Sequence, residues 1–120
     1  MHFYCKFNIS PYPGQCHNPK EGTLERIELK EGVEIIPFVS IIETPGHSPD
    51  MLGLVIETDK GKIVISGDAI SSESQTNLST RPADILLFNP DLYDISRKKI
   101  LKLADYIIPG HDKMFKNKSN

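Results

Sequence analysis

The chain has 120 residues, which is enough for one domain, and its 38% hydrophobic and 25% charged residues are typical of a globular protein. Fourteen Lys and Arg residues against sixteen Asp and Glu residues give a formal charge of -2, which does not indicate a nucleic-acid partner. No stretch reaches the roughly 18 apolar residues needed to cross a bilayer, and the first residues lack the pattern of a signal peptide. We therefore expect a cytoplasmic protein without a membrane partner.

The first part of the chain, residues 1–44, changes from an aperiodic to a strand-like sequence. Residues 1–22 are rich in Pro, Gly and Asn and show no periodicity, which predicts an irregular segment. Residues 24–29 (LERIEL) alternate between apolar and polar side chains, as a half-buried strand does. Residues 33–44 are apolar and β-branched, which favours strand again, and Pro37 is expected to break this strand or to mark a sheet edge.

The middle of the chain predicts a hairpin followed by a loop. Residues 51–58 and 62–67 are apolar runs on either side of a turn that contains Gly61, which is typical of two antiparallel strands. The polar residues 71–82 (SSESQTNLSTRP) form a loop that is long enough to suggest mobility or a role at a site. Residues 84–88 predict a short strand or a helical turn.

The C-terminal part predicts one helix and one last strand. Pro90 or Asp91 is a suitable helix start, and the helix is expected to end near Asp105. Residues 106–109 (YIIP) then form the predicted last strand. The periodicity assigns an apolar face to the helix, formed by Ile95, Ile100, Leu103 and Ala104. It places four basic residues largely on the other face: Arg97, Lys98, Lys99 and Lys102.

Three residues able to bind metal follow strand predictions directly. His47, Asp68 and His111 each come after a glycine, and glycine allows a sharp backbone turn without a Cβ penalty. Loops at strand ends are where rigid scaffolds hold reactive groups. Neutral imidazole suits Zn²⁺ and related ions, and a carboxylate can bridge two of them. Each residue alone also has an ordinary structural interpretation, as a turn or surface residue, so the ordered triple carries the prediction.

The motifs around these residues resemble the later ligand motifs of the metallo-β-lactamase superfamily. They are TPGHS at 44–48, SGD at 66–68 and PGH at 109–111, in the same order, with a predicted hairpin between the first two and a helix before the third. The resemblance extends from about Gly22 to Phe115. It implies His47 as the third histidine of a first metal site, Asp68 as the carboxylate that bridges both metals, and His111 as the last histidine, in the second site. Ser48 would then act behind the ligands.

The sequence departs from that family in one major respect. The early H-x-H-x-D-H motif is absent, because the other two histidines, His2 and His17, do not form it. A smaller departure is Asp50, where the family pattern has Gly. We therefore expect an α/β (α+β) fold that corresponds to the C-terminal half of a four-layer αββα sandwich and lacks the N-terminal half. The expected organisation is an irregular segment at residues 1–22, a partial domain at residues 23–116 and a polar tail at residues 117–120.

The resemblance implies a metal-dependent hydrolase that acts on a small-molecule substrate. In such an enzyme, a metal-bound hydroxide attacks an ester, thioester, lactone, amide or phosphodiester. The cofactor would be zinc, with two ions in a complete site and with iron or manganese as alternatives. Since three ligands are spread over two sites, we expect the isolated chain to be inactive or weakly active.

A non-catalytic role is the alternative hypothesis. Sheet faces that would pack on the absent half would leave apolar surface exposed, and such surface recruits partners. The chain would then be a binding or assembly module that pairs with another chain, either as a homodimer or with a complementing N-terminal half.

Overall fold

The structure is a computed structural model that describes the backbone of residues 2–5 and 26–119 and the side chains of residues 28–119. The regular elements of these described residues are eight strands and one α-helix, with short 3-10 helices at Glu73–Thr76 and Asp84–Leu86. In chain order they are β1 (His2–Cys5), β2 (Arg26–Leu29), β3 (Glu34–Ile36), β4 (Val39–Glu43), β5 (Leu52–Thr58), β6 (Gly61–Gly67), α1 (Pro90–Leu103), β7 (Tyr106–Pro109) and β8 (Phe115–Lys116).

Six of the strands form one mixed sheet in the order β3-β4-β5-β6-β7-β8. All neighbours in it are antiparallel except β6 and β7, which are parallel. The parallel pair requires a crossover, and residues 68–105 with α1 provide it. Strands β1 and β2 pair with each other in a separate two-stranded sheet.

Several predicted elements are confirmed. The hairpin joins β5 to β6 through a turn that pairs Thr58 with Gly61. The apolar run of residues 33–44 is broken around Pro37, since β3 ends at Ile36 and β4 begins at Val39. Between them Phe38 has a φ of +69°, a left-handed conformation that the tight connection imposes. Residues 84–88 contain the helical turn rather than a strand.

The core lies between α1 and one face of the sheet. Val55, Val64 and Ile107 are direct neighbours across β5, β6 and β7, so their side chains form a row on the same face. Ile100 and Ala104 of the helical segment pack on this row and are fully buried. Branched apolar side chains of the strands thus meet apolar side chains of the helical segment, and together they form the buried apolar cluster of the described residues.

The predicted faces of the helix are wrong at two positions. Ile95 is 59% exposed, whereas Arg97 is completely buried. The buried face follows the i, i+4, i+7 and i+8 spacing that begins at Tyr93, and this spacing includes Arg97 and excludes Ile95. A charged side chain is tolerated on this face because Asp94 and backbone carbonyl groups surround the guanidinium.

Two further predictions require correction. The segment 1–22 is not irregular throughout, because His2–Cys5 forms β1 and pairs with β2; the rest of that segment lies outside the described residues. Residues 106–109 form a strand but not the last one, since β8 pairs with β7. The polar side chain of Asn117 is also buried, and its Nδ2 donates to the carbonyl oxygens of Leu101 and Ala104, 2.7 Å away in each case. The C-terminal segment thus stabilises the end of α1.

The second face of the sheet carries apolar side chains that are only half-buried. Cross-strand pairing places them in two rows, with Ile56 beside Ile63 and with Leu54, Ile65 and Ile108 in line. Each of them retains solvent exposure. Within the described part of the chain, no helix is long and apolar enough to span a membrane.

Candidate metal centre

The topology brings three strand ends to one edge of the sheet. Strand β5 is antiparallel to both β4 and β6, so β4 and β6 run in the same direction, and β7 runs parallel to β6. Their carboxyl ends therefore share an edge, the position at which open sheets with crossovers place their ligands. His47, Asp68 and His111 follow β4, β6 and β7, respectively.

The Asp68 carboxylate lies between the two histidine rings. Its Oδ1 is 2.8 Å from Nε2 of His111, and its Oδ2 is 3.5 Å from Nε2 of His47. One carboxylate thus faces a different imidazole with each oxygen. The side chains remain accessible, with His111 73% exposed, so the centre is open to solvent.

The loop that carries His47 is fixed by close packing of Gly46 on α1. Gly46 has a φ of +140°, and a Cβ at this position would lie 2.2 Å from the backbone nitrogen of Tyr93. The backbone N–H of Asn89 donates to the Gly46 carbonyl oxygen at 3.0 Å, and Asn89 also caps the helix by accepting from the N–H of Leu92. The start of α1, which lies within the crossover, therefore also positions the loop of His47.

The segment that carries His111 lies directly against the segment that follows Asp68. The N–H groups of Gly110 and His111 donate to the carbonyl oxygens of Ile70 and Ser71 at 3.2 and 2.8 Å. Gly110 is needed for this approach, because a Cβ there would lie 2.5 Å from Oδ1 of Asp68. The backbone thus fixes the distance between His111 and Asp68.

The hydroxyl group of Ser48 donates to Oδ1 of Asp50 at 3.1 Å. This contact joins the predicted supporting residue to the position where the family pattern has Gly. The role of Ser48 behind the metal ligands stays a prediction.

Sequence reasoning missed a polar cluster that surrounds the buried Arg97 beside the centre. It comprises Tyr93 and Arg97 of α1, Asp94 between them, and Gln75 of the polar loop. The guanidinium group of Arg97 lies 4.8 Å from the centroid of the Tyr93 ring, a cation–π contact, and donates to Asp94 at 2.6 Å. The only signal in the sequence was the four-residue spacing from Tyr93 to Arg97 on the buried face.

The cluster perturbs two acidic groups in opposite directions. The hydrogen bond from Arg97 lowers the pKa of Asp94 below its ordinary value, and a second hydrogen bond from Arg81 acts in the same sense. Burial raises the pKa of the Tyr93 hydroxyl, and the nearby carboxylates of Asp94 and Asp68 reinforce this shift. At neutral pH Asp94 is therefore an anion that balances the buried cation, and Tyr93 is a neutral hydrogen-bond donor.

The donor set fits two metal ions by its chemistry. With one imidazole near each oxygen of its carboxylate, Asp68 would be placed to bridge a pair of borderline ions. In the part of the chain that the structure describes, no three His, Cys, Asp or Glu side chains converge to hold a single ion. Each ion would thus receive one histidine and one oxygen of Asp68 from these residues.

Comparisons with known proteins identify the family. The model of the metallo-beta-lactamase superfamily matches residues 17–111, so the chain belongs to that superfamily. Metallo-beta-lactamase domain-containing protein 1 of Xenopus laevis is 35% identical over 79 residues, which are 65% of this chain and 32% of that protein. An uncharacterised Caenorhabditis elegans protein is 29% identical over 92 residues, which are 75% of this chain and 25% of that protein.

The fold is also similar to that of a solved enzyme. An N-acyl homoserine lactone hydrolase, with its product N-hexanoyl-L-homoserine at a catalytic metal centre, superposes with a TM-score of 0.57 and 28% identity over 70% of this chain and 34% of that one. The predicted fold class is therefore confirmed as a partial α+β metallo-β-lactamase fold. The chain spans about a quarter to a third of the length of these relatives.

Proposed function

We propose that this chain contributes His47, Asp68 and His111 to the two-metal centre of a hydrolase. The observation that carries the proposal is the Asp68 carboxylate, whose two oxygens face two different histidine nitrogens. Membership of the superfamily and the similarity to a lactone hydrolase with a catalytic metal centre support the same reaction class.

The residues of the chain have distinct tasks in this centre. His47 and Oδ2 of Asp68 would hold one ion, and His111 and Oδ1 of Asp68 would hold the other. The backbone hydrogen bonds of Gly110 and His111 to the segment after Asp68 keep the second pair in register. Metal ions held by these residues would supply polarisation of a carbonyl or phosphoryl oxygen and activation of a water molecule.

Zinc is the proposed metal, and iron and manganese are the alternatives. Imidazole and carboxylate donors suit all three ions, and zinc sites commonly combine the two. Catalytic zinc sites commonly take three protein ligands, whereas the described residues offer two for each ion. The chain by itself is therefore proposed to bind zinc weakly and to hydrolyse small esters, lactones or thioesters slowly or not at all.

Metal content per chain tests the proposal. Protein purified without a metal-affinity tag is loaded with zinc at several concentrations, and bound metal is measured by plasma mass spectrometry after gel filtration. Because Asp68 serves both ions, Asp68→Asn should lose both of them, whereas His47→Ala and His111→Ala should each lose one.

A carboxylate far from the centre provides the matched control. Asp59 is exposed in the hairpin turn, so Asp59→Asn changes the charge by the same amount and should bind zinc like the wild type. Equal zinc in Asp68→Asn and in the wild type would rule out the proposed ligand set.

Exposed apolar surface favours a second function, the non-catalytic pairing module. Besides the half-buried second face of the sheet, large apolar side chains are exposed at the ends of the fold, including Phe38 at 68%, Ile85 at 93% and Phe88 at 60%. Of these, the contiguous apolar rows of the second sheet face are the kind of surface that marks contact with another polypeptide. We propose pairing with a second copy or with a separate N-terminal half as the alternative function.

Light scattering of the purified chain tests this alternative. A dimer, or strong binding of a dye specific for exposed apolar surface, is the expected result. A monomer at every concentration without dye binding would eliminate the pairing module.

A further inference from the structure

The polar loop of residues 71–82 is held against α1 by a single buried cation. Nη1 of Arg97 donates to three backbone carbonyl oxygens of the loop, those of Gln75 at 3.0 Å, Asn77 at 3.2 Å and Thr80 at 2.8 Å. Asp94 balances its charge at 2.6 Å. A completely buried ionised group is stable only with hydrogen-bond and charge partners of this kind. The position of Arg97 therefore fixes the position of the loop.

Gln75 connects the contacts between Arg97 and the loop to the metal centre. Its backbone carbonyl accepts from Arg97, and its side-chain Oε1 accepts from the Tyr93 hydroxyl at 2.8 Å and from the N–H of Ser71 at 2.9 Å. A backbone N–H can only donate, so the amide atom that faces Ser71 is the oxygen. Both ends of Gln75 are therefore held by α1.

The contact with Ser71 continues into the metal centre. The carbonyl oxygen of Ser71 accepts from the N–H of His111 at 2.8 Å, and Ser71 lies three residues after Asp68. The orientation of this one peptide segment thus determines where the His111 backbone lies relative to the Asp68 carboxylate. Side chains behind the ligands of a metal site commonly control affinity in this way.

We propose that Gln75 is a positioning residue of the metal centre, which fixes His111 against Asp68 through Ser71 while Arg97 and Tyr93 fix Gln75. The inference rests on the proposed function, since it assigns to His111 a ligand role. Gln75 touches neither the metals nor a substrate in this scheme. Its effect is on the ion that His111 helps to hold, and the ion at His47 does not depend on it.

A substitution that removes the acceptor oxygen of Gln75 but keeps the approximate shape of the side chain tests the inference. Gln75→Leu keeps the approximate volume and leaves the Ser71 N–H without its partner, whereas Gln75→Glu keeps an acceptor oxygen and should restore wild-type behaviour. Glu73 is exposed in the same short helix, so Glu73→Ala is the matched control. If Gln75→Leu does not fold, Gln75→Asn, which is one methylene shorter, replaces it.

The first readout needs no metal. Hydrogen–deuterium exchange of individual amides is followed by NMR, and the His111 amide of Gln75→Leu should exchange faster by about fivefold or more, the factor expected for one weakened hydrogen bond. The amides of the β5–β6 hairpin should keep their wild-type rates. Unchanged protection of His111, or an equal loss throughout the hairpin, would overturn the inference.

The second readout is zinc titration of the same variants. Loss of support behind a ligand weakens metal binding by about 10-fold to 100-fold, so one of the two binding steps should weaken by this factor in Gln75→Leu, whereas Gln75→Glu should keep both at wild-type strength. A wild type that binds no zinc would refute the proposed function, and the exchange rates would still decide whether Gln75 positions His111. Equal weakening of both steps would contradict the inference alone.

Discussion

A methyl group at Gly110 is expected to disrupt the metal centre by direct contact. The Cβ of Gly110→Ala would lie 2.5 Å from Oδ1 of Asp68 and 2.9 Å from the carbonyl carbon and oxygen of Gly67. Ordinary contacts between carbon and oxygen are about 3.3 Å or longer, so the carboxylate must move by roughly 0.8 Å. Gly67 is the last residue of β6 and pairs with Pro109 of β7, so its backbone is tied to the sheet.

The cost in stability follows from this overpacking. A methyl group forced into a packed region costs about 1–3 kcal/mol, and we expect the free energy of unfolding of Gly110→Ala to fall by that amount. Because the displaced carboxylate is the proposed bridge between both ions, zinc content should fall together with stability. Urea unfolding measures the first effect and plasma mass spectrometry the second.

Gly32 provides the control for the backbone effect of the same substitution. Its φ is +81° and its surroundings are open, so Gly32→Ala has strain without a contact. A left-handed alanine costs about 1–2 kcal/mol, which predicts a similar loss of stability with zinc unchanged. The reasoning is refuted if Gly110→Ala is as stable as the wild type, or if it loses stability and keeps both ions.

Two further predictions concern polar groups around α1. The pKa of Asp94 is lowered in the folded state, chiefly by the hydrogen bond from Arg97. The ionised carboxylate therefore stabilises the fold above the unfolded pKa of about 4, and this stabilisation is lost as the pH falls through the folded pKa. The difference in urea stability between the wild type and Asp94→Asn should therefore be largest at pH 7 and should shrink progressively as the pH falls below about 4. A difference that stays the same throughout an acid titration would contradict this. Asn117→Ala removes a buried donor from two carbonyl groups at the end of α1, so the free energy of unfolding should fall by about 1–3 kcal/mol in thermal or urea unfolding. Lys118 is its exposed neighbour, and Lys118→Ala should change this free energy by less than about 0.5 kcal/mol. Equal stability of these two variants would show that Asn117 does not hold the helix end.

Local sequence determined most of the strands. The alternation in β5 and β6 and the turn at Gly61 act over a few residues, so their pairing was predicted from the chain alone. The same holds for the start of α1, where Asn89 and Pro90 satisfy the helix start from adjacent positions. The short strand β8 has no such signal, because its two residues become a strand only by pairing with β7.

The candidate site was likewise predicted from local sequence only in part. The types and order of His47, Asp68 and His111, each after a glycine, were visible in the sequence because metal chemistry restricts the side chains that can serve. The proximity of Asp68 to both histidines depends on three strands running in the same direction, and strand direction is a property of the whole sheet.

The sequence by itself determined the family, the strand and helix segments and the identities of the proposed ligands, since these depend on neighbouring residues. Only the tertiary structure decided that Arg97 is buried and Ile95 exposed, and that Gln75 connects the helix to the segment behind His111. The physical reason is that a buried charge or a shared acceptor is stabilised by partners about 20 residues away, such as the carbonyl groups that surround Arg97. No local pattern encodes such partners.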